Sequence, residues 1–153
     1  MLPLWHPARI ISTGVYVGHL PGPAGTWGSA AALVPAWFIR DAGGPWALAA
    51  AAVLITLIGI WASGLYAGAM DMKDPGSVVV DEFAGQWFTL IVVPNELAWF
   101  AVAFALFRLL DITKPWPANW ADRTLPGGFG IVIDDVIAGL MGLVFMGALI
   151  ELW

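Results

Sequence analysis

Cysteine is absent from the 153-residue chain and charge is scarce, with 11 % of residues Asp, Glu, Lys or Arg. Without cysteine there is no disulfide, no thiolate nucleophile and no Cys-ligated zinc. Six basic residues stand against eleven acidic ones, for a formal charge of −5, and no basic run exists to neutralise a phosphate backbone. Nucleic acid is therefore excluded as a partner. Disorder is excluded too, because a disordered chain combines low hydrophobicity with high charge. What the chain has in excess is apolar surface. At 60 % hydrophobic residues it lies far from the roughly half apolar, one-quarter charged balance of soluble domains. It reads as a membrane protein, with a length that suits one domain over residues 1–153.

Five apolar stretches predict an all-α, multi-helical integral membrane protein of about four to five helices, some short or re-entrant. The longest, Trp46 to Met70, carries no formal charge, and at about 1.5 Å per residue it crosses a hydrocarbon core of roughly 30 Å with some tilt. Trp27 to Ile39 is shorter and contains Pro35, so it either spans or re-enters. Phe83 to Val93 and Leu97 to Phe107 flank Pro94-Asn95-Glu96, a turn signal that makes them the limbs of a hairpin. Val136 to Trp153 closes the chain. At the start, Pro3, Trp5, His6, Pro7 and Arg9 interrupt any signal-peptide apolar region, so residues 1–25 are expected to stay in the mature protein. Thr26 follows a Pro- and Gly-rich loop and is expected to cap a helix beginning near Trp27.

If each apolar element changes the membrane face, or dips and returns, residues 1–25, 71–82 and 108–135 share one face. That face then holds Arg9, Lys73, Arg108, Lys114 and Arg123, and the other only Arg40. The positive-inside rule makes the first face cytoplasmic. Eight of the eleven acids fall there as well: Asp71, Asp74, Asp81, Glu82, Asp111, Asp122, Asp134 and Asp135.

Acids beside apolar helices normally face a polar cavity or a partner, since a charge at mid-bilayer costs about 2.5–3.5 kcal/mol on insertion scales. Asp74, Asp81 and Glu82 at the mouth of the third run, with Asp134 and Asp135 at the mouth of the last, form an oxygen-only donor set suited to Mg²⁺. The plainer alternative is a set of helix N-terminal acids favoured by the helix dipole. Arg108, Asp111 and Lys114 are spaced at about one helical turn before Pro115. They either bind phosphate oxygens or form an interfacial ion-pair ladder. Gly127-Gly128-Phe129-Gly130 reads as a close-approach loop or a simple turn. His6 and His19 read as ordinary interfacial residues, and Trp116 and Trp120 as interfacial anchors. Gly64 and Gly68 form a G-x-x-x-G face for packing within the chain or between the two copies of a homodimer.

Four blocks then stand out in order. They are Gly25-Thr26-Trp27-Gly28-Ser29; Lys73-Asp74 with Val78-Val79, Asp81-Glu82 and Gly85; Phe107-Arg108 with Asp111, Lys114-Pro115 and Pro117; and Gly127-Gly128, Gly130-Ile131, Asp134-Asp135 and Ala138-Gly139. Together they resemble the signature blocks of the phosphatidylglycerophosphatase A family over residues 12–142. The resemblance implies a bacterial inner-membrane, Mg²⁺-dependent phosphatase that converts phosphatidylglycerophosphate to phosphatidylglycerol and phosphate.

On that basis Asp74, Asp81, Glu82, Asp134 and Asp135 are the expected metal ligands. Asp81, Asp111, Asp134 and Asp135 are the expected catalytic acids, and Thr26, Arg108, Lys114 and Arg123 the expected substrate-binding residues. Water attack and an aspartyl-phosphate intermediate both remain open. The competing classes are a small transporter with a carboxylate-lined site and a scaffold whose charges only set topology.

Overall fold

The computed structural model describes residues 1–153 and is all-helical, in agreement with the expected class. Six α-helices follow in order: α1 (Pro7–Ser12), α2 (Ala24–Met70), α3 (Val80–Leu90), α4 (Leu97–Thr113), α5 (Ala118–Thr124) and α6 (Gly127–Leu152). A short 3₁₀ turn, Val17–His19, joins α1 to α2.

α2 is bent back on itself. Gly44 has φ 75° and ψ −169°, a conformation that only glycine adopts without strain. Pro45 follows at the first position of the second limb, where its missing N–H costs nothing. Gly28 on the first limb would meet Val79 if it carried a Cβ, and Gly59 on the second would meet Val80. Both limbs thus return to the same level, as antiparallel arms. Two hydrogen bonds seat the bend beside the α3–α4 turn: Arg40 Nε donates to the Ile91 carbonyl (3.2 Å) and Asn95 Nδ2 to the Trp37 carbonyl (3.2 Å). Pro94-Asn95-Glu96 lies in that turn, as its composition predicts.

Two helices, Ala24–Met70 and Gly127–Leu152, are long and apolar enough to cross a membrane. Of the four to five apolar helices expected, some of them short or re-entrant, these two have that length, the first of them as two limbs about Gly44. α3 with 11 residues and α4 with 17 rise only about 16 and 25 Å, short of a roughly 30 Å core. The exterior is apolar where the interior is small. On α2, Ala32, Ala36, Ala52, Ala62 and Ala67 are buried, while Phe38, Trp46, Leu54, Leu57 and Trp61 point outward. Small residues let helix backbones approach where lipid provides no hydrophobic drive between helices, and the large side chains are left for the surroundings.

Three glycine contacts fix the relative position of the helices. A Cβ on Gly139 of α6 would lie 2.3 Å from the Gly85 carbonyl oxygen of α3, so the two backbones touch at their crossing. Gly128 in the first turn of α6 sits against Ile60 and Gly64 of α2, its virtual Cβ 2.0 Å from the Ile60 oxygen. The Gly64 half of the G-x-x-x-G pair therefore packs within the chain, while Gly68 meets nothing. Gly139→Ala is expected to destabilise the protein by about 1–3 kcal/mol through overpacking. Gly147→Ala, with nothing near its Cβ, is the control. Thermal unfolding in detergent compares them, and equal midpoints would refute the backbone contact.

Two sequence expectations shift in register. α2 begins at Ala24 with Pro23 as its N-cap, so Thr26 lies inside the first turn and its hydroxyl caps nothing. Pro at positions 21 and 23 sets the entry before Thr26 is reached. The glycine run at 127–130 is the first turn of α6 rather than a loop, and α6 starts nine residues before Val136. His6 caps α1, its Nδ1 accepting from the Ala8 N–H, and is used structurally.

Candidate active site

All the charged clusters lie at the end of the molecule opposite the Gly44 bend, where α3 and α6 begin and α4 ends. Asp81 and Glu82 occupy the first turn of α3, where the helix dipole favours carboxylates. That account does not extend to Asp134 and Asp135, which lie two turns into α6 and are buried. The Gly85–Gly139 crossing brings them to α3. Carboxylate oxygens of Asp81, Glu82 and Asp135 gather within 4.8 Å of one another, and all three residues are buried. The Asp81 Oδ1 accepts the backbone N–H of Glu82 at 3.0 Å.

The cations come from the end of α4. Arg108 NH1 pairs with Asp111 Oδ2 and lies 3.9 Å from Glu82 Oε1. Lys114 is the C-cap of α4 in the left-handed conformation, φ 45°, a turn that sends its side chain back toward α6. Its Nζ lies 2.8 Å from Asp134 Oδ2, 3.2 Å from Asp111 Oδ1 and 3.5 Å from Asp135 Oδ1. An ammonium has three N–H donors, and here they meet three carboxylates. Burial alone would lower the Lys114 pKa, but Asp135, Asp134 and Asp111 outweigh it and hold it above the ordinary lysine value. The i, i+3 ladder on α4 is therefore real, but it is the outer half of a network reaching across to α6. The Arg108 and Lys114 side chains are only 14 % and 26 % exposed, so neither extends to water as a simple snorkelling cation.

Charge does not balance among these side chains. Asp81, Glu82, Asp111, Asp134 and Asp135 bring five negative charges when ionised, and Arg108 and Lys114 two positive, leaving −3. Glu82 Oε2, Asp134 Oδ1 and Asp135 Oδ2 are buried without a hydrogen-bond partner. Buried charge and orphaned acceptors are costly unless compensated. The oxygen-only donor set, the orphaned oxygens and the negative excess fit a hard divalent cation.

The other expected site residues stand around this core. Asp74 is exposed at the rim, in a depression shared with Lys73, Asp122, Gly127 and Gly130. Desolvation and the Asp122 carboxylate push its pKa above the usual carboxylate value, against the pull of Lys114 and Lys73. Thr26 is half-buried beside Gly25, where an added Cβ would run into Glu82 Oε1 and the Arg108 guanidinium. Arg123 is exposed on α5, its Nε bonded to the Asn119 carbonyl at 3.3 Å, and is not drawn into the carboxylate cluster.

One residue was overlooked by sequence reasoning. Gln86, one turn below Glu82 on α3, is fully buried and neither amide atom has a partner. Its i, i+4 spacing from Glu82 was the available signal.

The profile of the family described as phosphatidylglycerophosphatase A matches residues 10–150. A phosphatidylglycerophosphatase A from Escherichia coli strain K12 is 40 % identical over 151 residues, covering 95 % of this chain and 87 % of the relative. One from Haemophilus influenzae strain Rd is 34 % identical over 151 residues, covering 98 % and 92 %. A Bacteroides thetaiotaomicron protein provisionally named a phosphatidylinositol-3-phosphatase is 36 % identical over 145 residues, covering 90 % and 89 %. No solved structure matches the chain. With the match running through α3, α4 and α6, which build the site, the chain belongs to the phosphatidylglycerophosphatase A family.

Proposed function

We propose that this chain is a Mg²⁺-dependent lipid phosphatase that hydrolyses the terminal phosphomonoester of phosphatidylglycerophosphate to phosphatidylglycerol and phosphate. The observation that carries the reading is the junction of a three-carboxylate cluster with Arg108 and Lys114 at one end of an apolar helical body. A carboxylate cluster alone would serve many ends; cations beside it give a phosphate its partners. The names of the two phosphatidylglycerophosphatase A relatives supply the substrate.

Asp81, Glu82 and Asp135 would hold the ion, with Asp134 beside Asp135 on α6 and Asp74 at the rim. The chemistry an ion supplies there is Lewis-acid polarisation of the phosphoryl group. The chain's own residues do the rest. Arg108 presents its planar fork to phosphate oxygens, and its Nε has no partner within the protein. Asp111 sits between Arg108 and Lys114 and holds both in place. Lys114 adds charge for the transition state and pairs with Asp134 at 2.8 Å. Asp81, which forms no ion pair with Arg108 or Lys114, accepts the proton of the attacking water. Water oxygen bonds to phosphorus, the bond from phosphorus to the glycerol oxygen breaks, and the alcohol leaves with the proton that Asp81 took from the water.

We further place the protein in the bacterial inner membrane as a multi-pass chain with the site facing the cytoplasm. Arg9, Lys73, Arg108, Lys114 and Arg123 belong to the site end and only Arg40 to the other, which supports that orientation. The test is phosphate release by purified protein in detergent, with and without Mg²⁺, with phosphatidic acid as competitor. Release from phosphatidylglycerophosphate that stops on chelation is expected. No release under either condition would overturn the enzyme reading and favour a transport or scaffold role.

A further inference from the structure

Two uncharged polar side chains of α3 are buried, Thr89 and Gln86. The Thr89 hydroxyl has a structural task, since it lies 3.2 Å from the Gly85 carbonyl and 3.1 Å from the Gly139 carbonyl at the crossing with α6. Gln86 has none. It is fully buried, yet neither its Oε1 nor its Nε2 has a partner. A buried amide with both ends idle costs stability that an apolar side chain of the same shape would not.

The first limb of α2 runs beside α3 in the same direction. At the site end an added Cβ on Gly25 would lie 2.8 Å from Glu82 Oε1, and about two turns deeper Trp87 Nε1 donates to the Ala32 carbonyl at 2.9 Å. Between these contacts, Gln86 lies one turn past Glu82 and Ser29 one turn past Gly25, each about 6 Å deeper. Ser29 is also fully buried, and its hydroxyl has no partner, although a helical serine can return it to the carbonyl one turn back. Glu82 Oε2 is idle as well. The three groups are complementary, for a carboxylate oxygen accepts, an amide both donates and accepts, and a hydroxyl donates.

We propose that Gln86 is a positioning residue for cation binding at the carboxylate cluster. Its amide N–H donates to Glu82 Oε2, directly or through one water, and leaves the other carboxylate oxygen for the ion. The Ser29 hydroxyl donates to Gln86 Oε1 and fixes which way the amide points. Side chains at i and i+4 of a helix start about 5–6 Å apart, within reach of either form of the bond. A hydrogen bond to a ligating carboxylate holds it in the orientation the ion needs, and its loss typically costs 10–100-fold in metal affinity or activity. The proposal rests on the Mg²⁺-dependent phosphatase reading above.

The test is Mg²⁺ titration of the purified full-length protein in detergent by calorimetry, alongside phosphate release. Gln86→Met keeps the side-chain length and removes both idle atoms, so without Mg²⁺ its thermal midpoint is expected to equal or exceed that of wild type. Its Kd for Mg²⁺ is expected to rise 10–100-fold, and most of the lost rate to return at saturating Mg²⁺. Ser29→Ala is expected to raise Kd by a smaller factor. Thr56→Val is the control; it removes a buried hydroxyl that bonds the Ala52 carbonyl of its own helix at 2.7 Å, and is expected to bind Mg²⁺ as wild type does. Added to Glu82→Gln, Gln86→Met is expected to cost no further affinity, because no carboxylate is left to orient. Wild-type affinity in Gln86→Met, or the same loss repeated in the Glu82→Gln background, would overturn the positioning role. If Gln86→Met does not fold, Ser29→Ala decides on the same titration, and wild-type affinity there would overturn it. A wild type that neither binds Mg²⁺ nor releases phosphate would instead overturn the phosphatase reading, and this role with it.

Discussion

Asp81→Asn and Asp135→Asn are each expected to remove phosphatase activity by more than a hundredfold while leaving the protein folded. The two residues come from different helices, yet their oxygens lie within 4.8 Å of one another and of Glu82. Each is buried, and Asp135 Oδ2 lacks any hydrogen-bond partner. Removing one negative charge from a cluster with an excess of −3 relieves repulsion in the metal-free protein, so its thermal midpoint should hold or rise. The gain appears only while no cation is bound. With Mg²⁺ present the wild type should be stabilised by ligand binding, by about 2.7 kcal/mol at a hundredfold excess over Kd, and the Asn variants should not be. Losing a partner from a buried charged assembly typically costs about 3–5 kcal/mol, which is more than two decades of rate when it falls on the transition state. The measurement is a pair of melts, with and without Mg²⁺, alongside phosphate release. A Mg²⁺-dependent rise of the midpoint equal to wild type in both variants would show that these carboxylates are not the ligands.

Asp81 and Glu82 were legible in the sequence because they open an apolar run, where a dipole or a ligand must explain them. Asp134 and Asp135 were legible for the same reason, but their depth was not. The glycines ahead of them read as a loop, and only tertiary contact shows why they are helical. Gly128 lets α6 start against the Gly64 backbone, and Gly139 lets it cross α3 at Gly85. Close approach between elements far apart in sequence leaves no periodic trace, so one sequence cannot pair Gly85 with Gly139. The Gly44–Pro45 break was legible as a gap between runs, because both residues act on the local backbone. Which apolar runs have spanning length is only partly legible, because hydropathy registers an apolar run and not its helical length, and α3 ends at Leu90. Charge sorting survived, since it depends only on which connections share an end. Gln86 was passed over because an amide within an apolar helix becomes conspicuous only once its lack of partners is seen.

Lys114→Met is expected to cost more stability than any other single substitution in the site, about 3–5 kcal/mol, because it leaves Asp111, Asp134 and Asp135 facing one another without their shared ammonium. The excess charge goes from −3 to −4 in a region where all five carboxylates are buried. Lys114→Arg separates charge from geometry. It keeps the charge, but a planar fork cannot direct three donors at carboxylates arriving from α4 and α6, so stability should return further than activity. The pairing with Asp134 is tested by Lys114→Met combined with Asp134→Asn. If the ammonium's main structural task is to neutralise that carboxylate at 2.8 Å, the double variant should be more stable than Lys114→Met alone, giving a coupling of about 0.5–3 kcal/mol. Phosphate release should not return with it, since the positive charge next to the phosphate is still missing. Additive losses in the thermal melts would mean that Lys114 and Asp134 do not act as a pair. Recovery of activity in the double variant would mean that the ammonium serves the fold and not the transition state.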